Sequence, residues 1–172
     1  KEEVEQHGER KVEDTAKIAI AIEGGGMRGC VAAGMITAFD YLGLKDSIDV
    51  IYGSSAGSLV GAYYISGQST KGLEVYYDVL TTAGKDFIDL QSALRSLGLG
   101  MFDLRFKSLA KLFTDRLGNP VLNLDYLLET IAQKVRPLNW TAFWEKQVTN
   151  KLPLKIVTSG LLTQESVVLS AK

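Results

Sequence analysis

Asp49-Val50-Ile51-Tyr52-Gly53-Ser54-Ser55-Ala56-Gly57 runs from a short apolar strand, Asp49 to Tyr52, straight into a G-x-S-x-G turn. The residues that follow, to about Ile65, read as a helix, so the serine-centred turn has the strand-to-helix setting that a nucleophile elbow requires. Gly53 and Gly57 stand two residues to either side of Ser55 and let the backbone turn tightly. The Ser55 hydroxyl is then lifted clear, with a helix N-terminus aimed at it. The backbone N–H of Ala56 is placed to donate to an anion forming at that point.

Upstream, the same pattern occurs once more. Lys17 to Ile22 reads as a short buried strand, Glu23-Gly24-Gly25-Gly26-Met27-Arg28-Gly29 breaks it, and an apolar helical stretch runs from about Arg28 to Leu42. Three consecutive glycines leave N–H groups unshielded beside a helix start, a donor set suited to an oxyanion. Arg28 either fixes this loop by bonding carbonyls or a carboxylate or helps to hold an anionic head group. Two strand–turn–helix units in succession predict an α/β fold, with a mostly parallel central sheet flanked by helices and both glycine turns at one edge.

Downstream, Lys71 to about Gln147 reads as mostly helical, with breaks at Gly84, Gly98 to Gly100, Gly118 to Pro120 and Pro137. Leu154 to Ser159 reads as a third buried strand, and Ser166 to Ser170 as a fourth after a turn near Thr163.

The composition bounds the function. With 172 residues, 46% hydrophobic and 23% charged, the chain can build one globular core. Its 19 basic and 20 acidic side chains leave a net charge of −1, so no overall field draws it to nucleic acid or an anionic membrane. The apolar stretches around Cys30 to Phe39 and Leu59 to Ile65 fall short of the ~20 residues that cross a bilayer. Residues 1–16 form a polar lead without the composition of a signal peptide, and residues 17–172 form the domain. The single Cys30 makes no internal disulfide, and no Cys/His cluster has metal-ligand spacing. The expectation is an intracellular protein, soluble or peripheral to a membrane, with no metal and no cofactor.

Gly24, Gly26 and Gly29 also satisfy G-x-G-x-x-G, the dinucleotide-binding pattern. That pattern wants an acidic residue near the end of the second strand, where Tyr52 and Gly53 stand; Asp49 lies at its start. A dinucleotide site also leaves the Ser55 turn unused, whereas acyl transfer employs both turns.

Gly24-Gly25-Gly26-Met27-Arg28-Gly29 followed by Gly53-Ser54-Ser55-Ala56-Gly57 resembles the patatin-like phospholipase family. The resemblance covers most of the chain from about Ile18. It implies a three-layer α/β sandwich, an oxyanion loop at Gly24, Gly25 and Gly26, a loop arginine at Arg28 and a nucleophile at Ser55. It further implies a lipid acyl ester substrate, with contact to a membrane or lipid-droplet surface. Glu23 stands where the family usually has Asp. The family's base is an aspartate in an Asp-Gly-Gly or Asp-Gly-Ala motif, and no Asp here is followed by Gly. The resemblance therefore implies a domain that is C-terminally incomplete, truncated before the dyad aspartate, and inactive as an isolated fragment. A non-catalytic lipid-binding or regulatory module on the same fold is the alternative.

The only histidine, His7, lies in the polar lead and outside the Ser, Asp, His order of ordinary α/β-hydrolases, which agrees with a serine–aspartate dyad. Phe102, Phe106, Leu109 and Phe113 share a helical face that suits core packing or a lipid surface. Cys30 reads as a small buried packing residue, and Trp140, Phe143 and Trp144 read as core, with an acyl-chain lining as the alternative.

Overall fold

The computed structural model describes residues 16–84, 123, 125–160 and 162–171. Four strands form one sheet in the order β1 (Ala19–Ile22), β2 (Val50–Gly53), β3 (Leu154–Ser159), β4 (Ser166–Ser170). The first three run parallel and β4 returns antiparallel to β3, so the mostly parallel α/β sheet expected from the two strand–turn–helix units is present. In register, Ile20 faces Ile51 and Ile22 faces Gly53, which brings the C-terminal ends of β1 and β2, and hence both glycine turns, to one edge.

β1 leads through a 3₁₀ turn, Gly26–Arg28, into α1 (Gly29–Tyr41); β2 leads into α2 (Ala56–Ile65). α2 is the central helix. It buries Val60, Tyr63, Tyr64 and Ile65, and it lies close to the sheet because Gly61 carries no side chain. A Cβ at Gly61 would sit 3.0 Å from Leu154 Cδ1 and 3.1 Å from Ile51 Cγ2, already tight contacts. Lys45 supports the far end of α2: its ammonium donates to the carbonyls of Tyr64 (2.5 Å) and Ile65 (3.2 Å), complementing the negative end of the helix dipole. Burial lowers the Lys45 pKa, against the pull of Asp40.

α3 (Ser69–Glu74) continues through a π-helical stretch, Val75–Leu80, into α4 (Thr81–Ala83) and stops at Gly84, as the sequence predicts. A second π-helical stretch, Tyr126–Val135, ends before the predicted break at Pro137, and α5 (Trp140–Val148) follows. Asn139 caps α5 by accepting the Ala142 N–H at 3.1 Å. Arg136 joins the second π-stretch to the first, with ion pairs of 2.7 Å to Glu74 and to Asp78. Buried Gln147 ties α5 to the sheet by accepting the Leu154 N–H at 2.8 Å and donating to the Leu152 carbonyl at 3.2 Å.

The core of the described residues lies on the sheet face that carries Ile22, Ile51 and Leu154. On the other face Ala21, Tyr52, Lys155 and Ser170 stand in register and are half-buried or exposed. Burial departs from expectation in the strands and in α5. Among the described residues β1 lies at one edge of the sheet and only Ile22 is buried in it; β3 is buried only at Leu154, and β4 lies at the other edge and is largely exposed. Of the aromatic group in α5, Phe143 is core at 4% exposure, whereas Trp140 (46%) and Trp144 (42%) stack on its edges from outside. Apolar composition marks these segments as strand and helix; their position in the sheet sets how far they are covered. Cys30 is half-buried against the core, as a packing residue. His7, the breaks at 98–100 and 118–120, and Phe102, Phe106, Leu109 and Phe113 lie outside the described residues.

Candidate active site

The β2–α2 turn occupies two residues, Ser54 and Ser55, between strand and helix. Ser55 has φ 50° and ψ −120°, a conformation that L-residues rarely adopt and that costs about 1–3 kcal/mol. Its neighbours hold it there. The Ser54 N–H donates to the Ile22 carbonyl (3.1 Å), and the Gly57 and Ser58 N–H groups donate to the Ser54 (2.8 Å) and Ser55 (2.9 Å) carbonyls. Gly53 and Gly57 are required by close backbone approach. A Cβ at Gly53 would lie 2.7 Å from Ser58 N, and one at Gly57 would collide with the Ile22 and Glu23 carbonyls. Ser55 itself is exposed, at the N-terminus of α2.

The β1–α1 turn lies against it. A Cβ at Gly24 would sit 3.0 Å from Ser55 Cβ and 3.1 Å from the Ser54 carbonyl oxygen, so the first glycine of the run touches the serine turn. Gly26 takes φ +56° in open space and redirects the chain into the 3₁₀ turn, which closes with the Arg28 N–H donating to the Gly25 carbonyl at 3.1 Å. Among the described residues, the N–H groups of Gly24, Gly25, Gly26 and Ala56 have no backbone acceptor. Gly24 touches Ser55 and Ala56 follows it directly, at the positive end of α2, an arrangement suited to a negative charge that develops beside Ser55.

Arg28 is exposed and runs back along Gly25, where a Cβ would be 3.6 Å from Arg28 Nε. Among the described residues the guanidinium makes no ion pair or hydrogen bond, so the loop-fixing bonds expected of it are not made there. Arg28 instead stands at one end of a groove of about 260 Å³ that begins at Glu23 and Gly24 and runs between β1 and α1 past Val31, Met35 and Phe39.

Tyr76 was not singled out in the sequence. Buried in the first π-stretch, it donates its hydroxyl to the Ala56 carbonyl at 3.0 Å, and its ring packs on Gly29. Burial raises its pKa well above the ordinary tyrosine value, which keeps the hydroxyl protonated as a donor. Asp49, the acid weighed as a ribose partner, points away from the glycine turns: its carboxylate accepts the Ile18 N–H (2.8 Å) and pairs with Lys17 (2.9 Å) at the opposite end of the strands. These bonds, the Ile18 N–H first, lower its pKa. No group of three or more His, Cys, Asp or Glu suited to a metal occurs among the described residues, and no described helix is long and apolar enough to cross a membrane.

No curated protein matches the chain. Among solved structures it is similar to the crystal structure of the type III effector protein ExoU, at 15% sequence identity and a TM-score of 0.41, over 91% of this chain and 36% of that one. The chain thus spans well under half the length of that structure. The model of the family described as patatin-like phospholipase matches residues 20–160, from β1 through both glycine turns to the end of β3. With that match over most of its length, the chain belongs to the patatin-like phospholipase family.

Proposed function

We propose that the chain forms the nucleophile and oxyanion side of a serine acyl hydrolase that cleaves lipid acyl esters. The observation that carries this reading is Ser55, held exposed in a strained conformation beside the unpaired N–H groups of two loops. Ser55 Oγ attacks the ester carbonyl carbon and gives its proton to a carboxylate base; Gly24, Gly25, Gly26 and Ala56 supply the donors for the resulting oxyanion. Collapse breaks the ester C–O bond, the base returns the proton to the departing alcohol, and the acyl group stays on Ser55 as an ester. Water, deprotonated by the same base, then attacks the acyl carbon; the acyl–Oγ bond breaks, the base returns the proton to Ser55 Oγ, and the fatty acid leaves. The family's base is an aspartate in an Asp-Gly-Gly or Asp-Gly-Ala motif, which residues 1–172 do not contain. In this reading the base lies outside them, and a fragment of these residues alone is inactive.

Ser55→Ala in the full-length protein, assayed on phospholipid and acylglycerol dispersions, lowers turnover by about four orders of magnitude or more. Turnover at the parent rate would remove Ser55 as the nucleophile. Substantial Ser55-dependent hydrolysis by the 172-residue piece would instead place the base among the residues present.

Peripheral contact with a lipid surface belongs to the same proposal. Val31, Met35 and Leu42 share one face of α1 and its C-cap at 60–64% exposure, and Val31 and Met35 also line the groove that begins at Gly24. Met35→Glu then weakens co-sedimentation with neutral phosphatidylcholine vesicles without changing thermal stability; unchanged sedimentation would dismiss this face.

A further inference from the structure

We infer that Tyr76 is a positioning residue for the two catalytic turns, a role that rests on the proposed reaction at Ser55. Two contacts and its burial place it there. Its hydroxyl donates to the Ala56 carbonyl at 3.0 Å, in the first residue of α2 and next to Ser55. Its ring fills the space above Gly29, the first residue of α1: a Cβ at Gly29 would be 2.7 Å from Tyr76 Cε1 and 3.0 Å from the hydroxyl oxygen. The residue itself is 2% exposed, within a π-helical stretch of the kind often found at functional sites.

One rigid side chain therefore bears on the first residue of each helix that follows a glycine turn. The proposed oxyanion donors lie shortly ahead of Gly29, at Gly24 to Gly26, and in Ala56 itself. A carbonyl that already serves the first turn of α2 needs no further donor for helix formation. The tyrosine bond instead fixes the pitch of that turn relative to α1. The spacing of Gly25 and Gly26 from Ala56 is set through Tyr76, and a shift of that spacing acts on the transition state rather than on ground-state substrate binding.

The test uses the full-length protein with Tyr76→Phe, Gly29→Ala and the double variant. Measured are kcat and KM on an ester substrate, the rate of Ser55 modification by a fluorophosphonate, and thermal unfolding. Tyr76→Phe keeps the ring over Gly29, so it folds, and it lowers kcat and the modification rate about five- to tenfold at unchanged KM. Gly29→Ala displaces the ring and with it carries the hydroxyl off the Ala56 carbonyl, the bond that Tyr76→Phe removes, so the double variant is no slower than the worse single one. Should Gly29→Ala fail to fold, Tyr76→Phe decides alone. A folded Tyr76→Phe protein with kcat and modification rate within about twofold of the parent overturns the role, as does a change confined to KM or to stability. Retained activity in Ser55→Ala would instead sink the underlying reaction, so the two failures are distinguishable.

Discussion

The β1–α1 and β2–α2 turns sit side by side and join the same kinds of element, yet they bend the chain at opposite cost. In the first, the unusual backbone falls on Gly26, which takes φ +56° with nothing near its missing side chain, so the bend is cheap and its N–H groups stay open. In the second, comparable geometry falls on Ser55, φ 50°, although glycines stand two places to either side where they are needed for space. A serine kept where glycine would be less strained is a hydroxyl retained at the expense of stability. In the proposed reaction the first turn supplies donors and the second a reactive atom, and Gly24 is where the two turns touch.

Substitutions at these turns test the difference between them. The largest loss of stability is expected for Gly57→Ala, whose Cβ meets the Ile22 backbone rather than a flexible side chain. It should lower unfolding stability by about 3 kcal/mol or more in denaturant titration; a protein as stable as the parent would mean that α2 does not approach β1 this closely. Gly24→Ala should fold but push the loop from Ser55, cutting kcat about 100-fold. Unchanged kcat would show that the two turns are not coupled through this contact. Ser55→Gly gives the smallest and most diagnostic change: activity is lost while stability rises by about 1 kcal/mol, because the strain is relieved. A loss of stability there would contradict the reading of Ser55 as strained.

Much of the site was legible because its chemistry is written in adjacent residues. Gly53 to Gly57 and Gly24 to Gly29 carry their backbone requirements in their own spacing, and strands flanking them place the two runs together once a parallel sheet is assumed. The contacts that depend on folding distance were not legible. Tyr76 lies twenty residues from Ala56 in the chain, inside a stretch that the sequence marks only as helical; the signal available is a phenol that needs a partner if buried. Exposure of Trp140 and Trp144, and of β4, also depends on what lies beyond each element, which composition does not report.

In the proposed reaction Ser55 is an activated nucleophile between the two turns. Treating the full-length protein and its Ser55→Ala variant with a fluorophosphonate probe, and locating the adduct by mass spectrometry, tests this directly. Covalent modification is expected at Ser55 in the parent and none at that position in the variant. A well-folded parent that takes up no probe at Ser55 would contradict it and favour a lipid-binding module that keeps the fold without the chemistry.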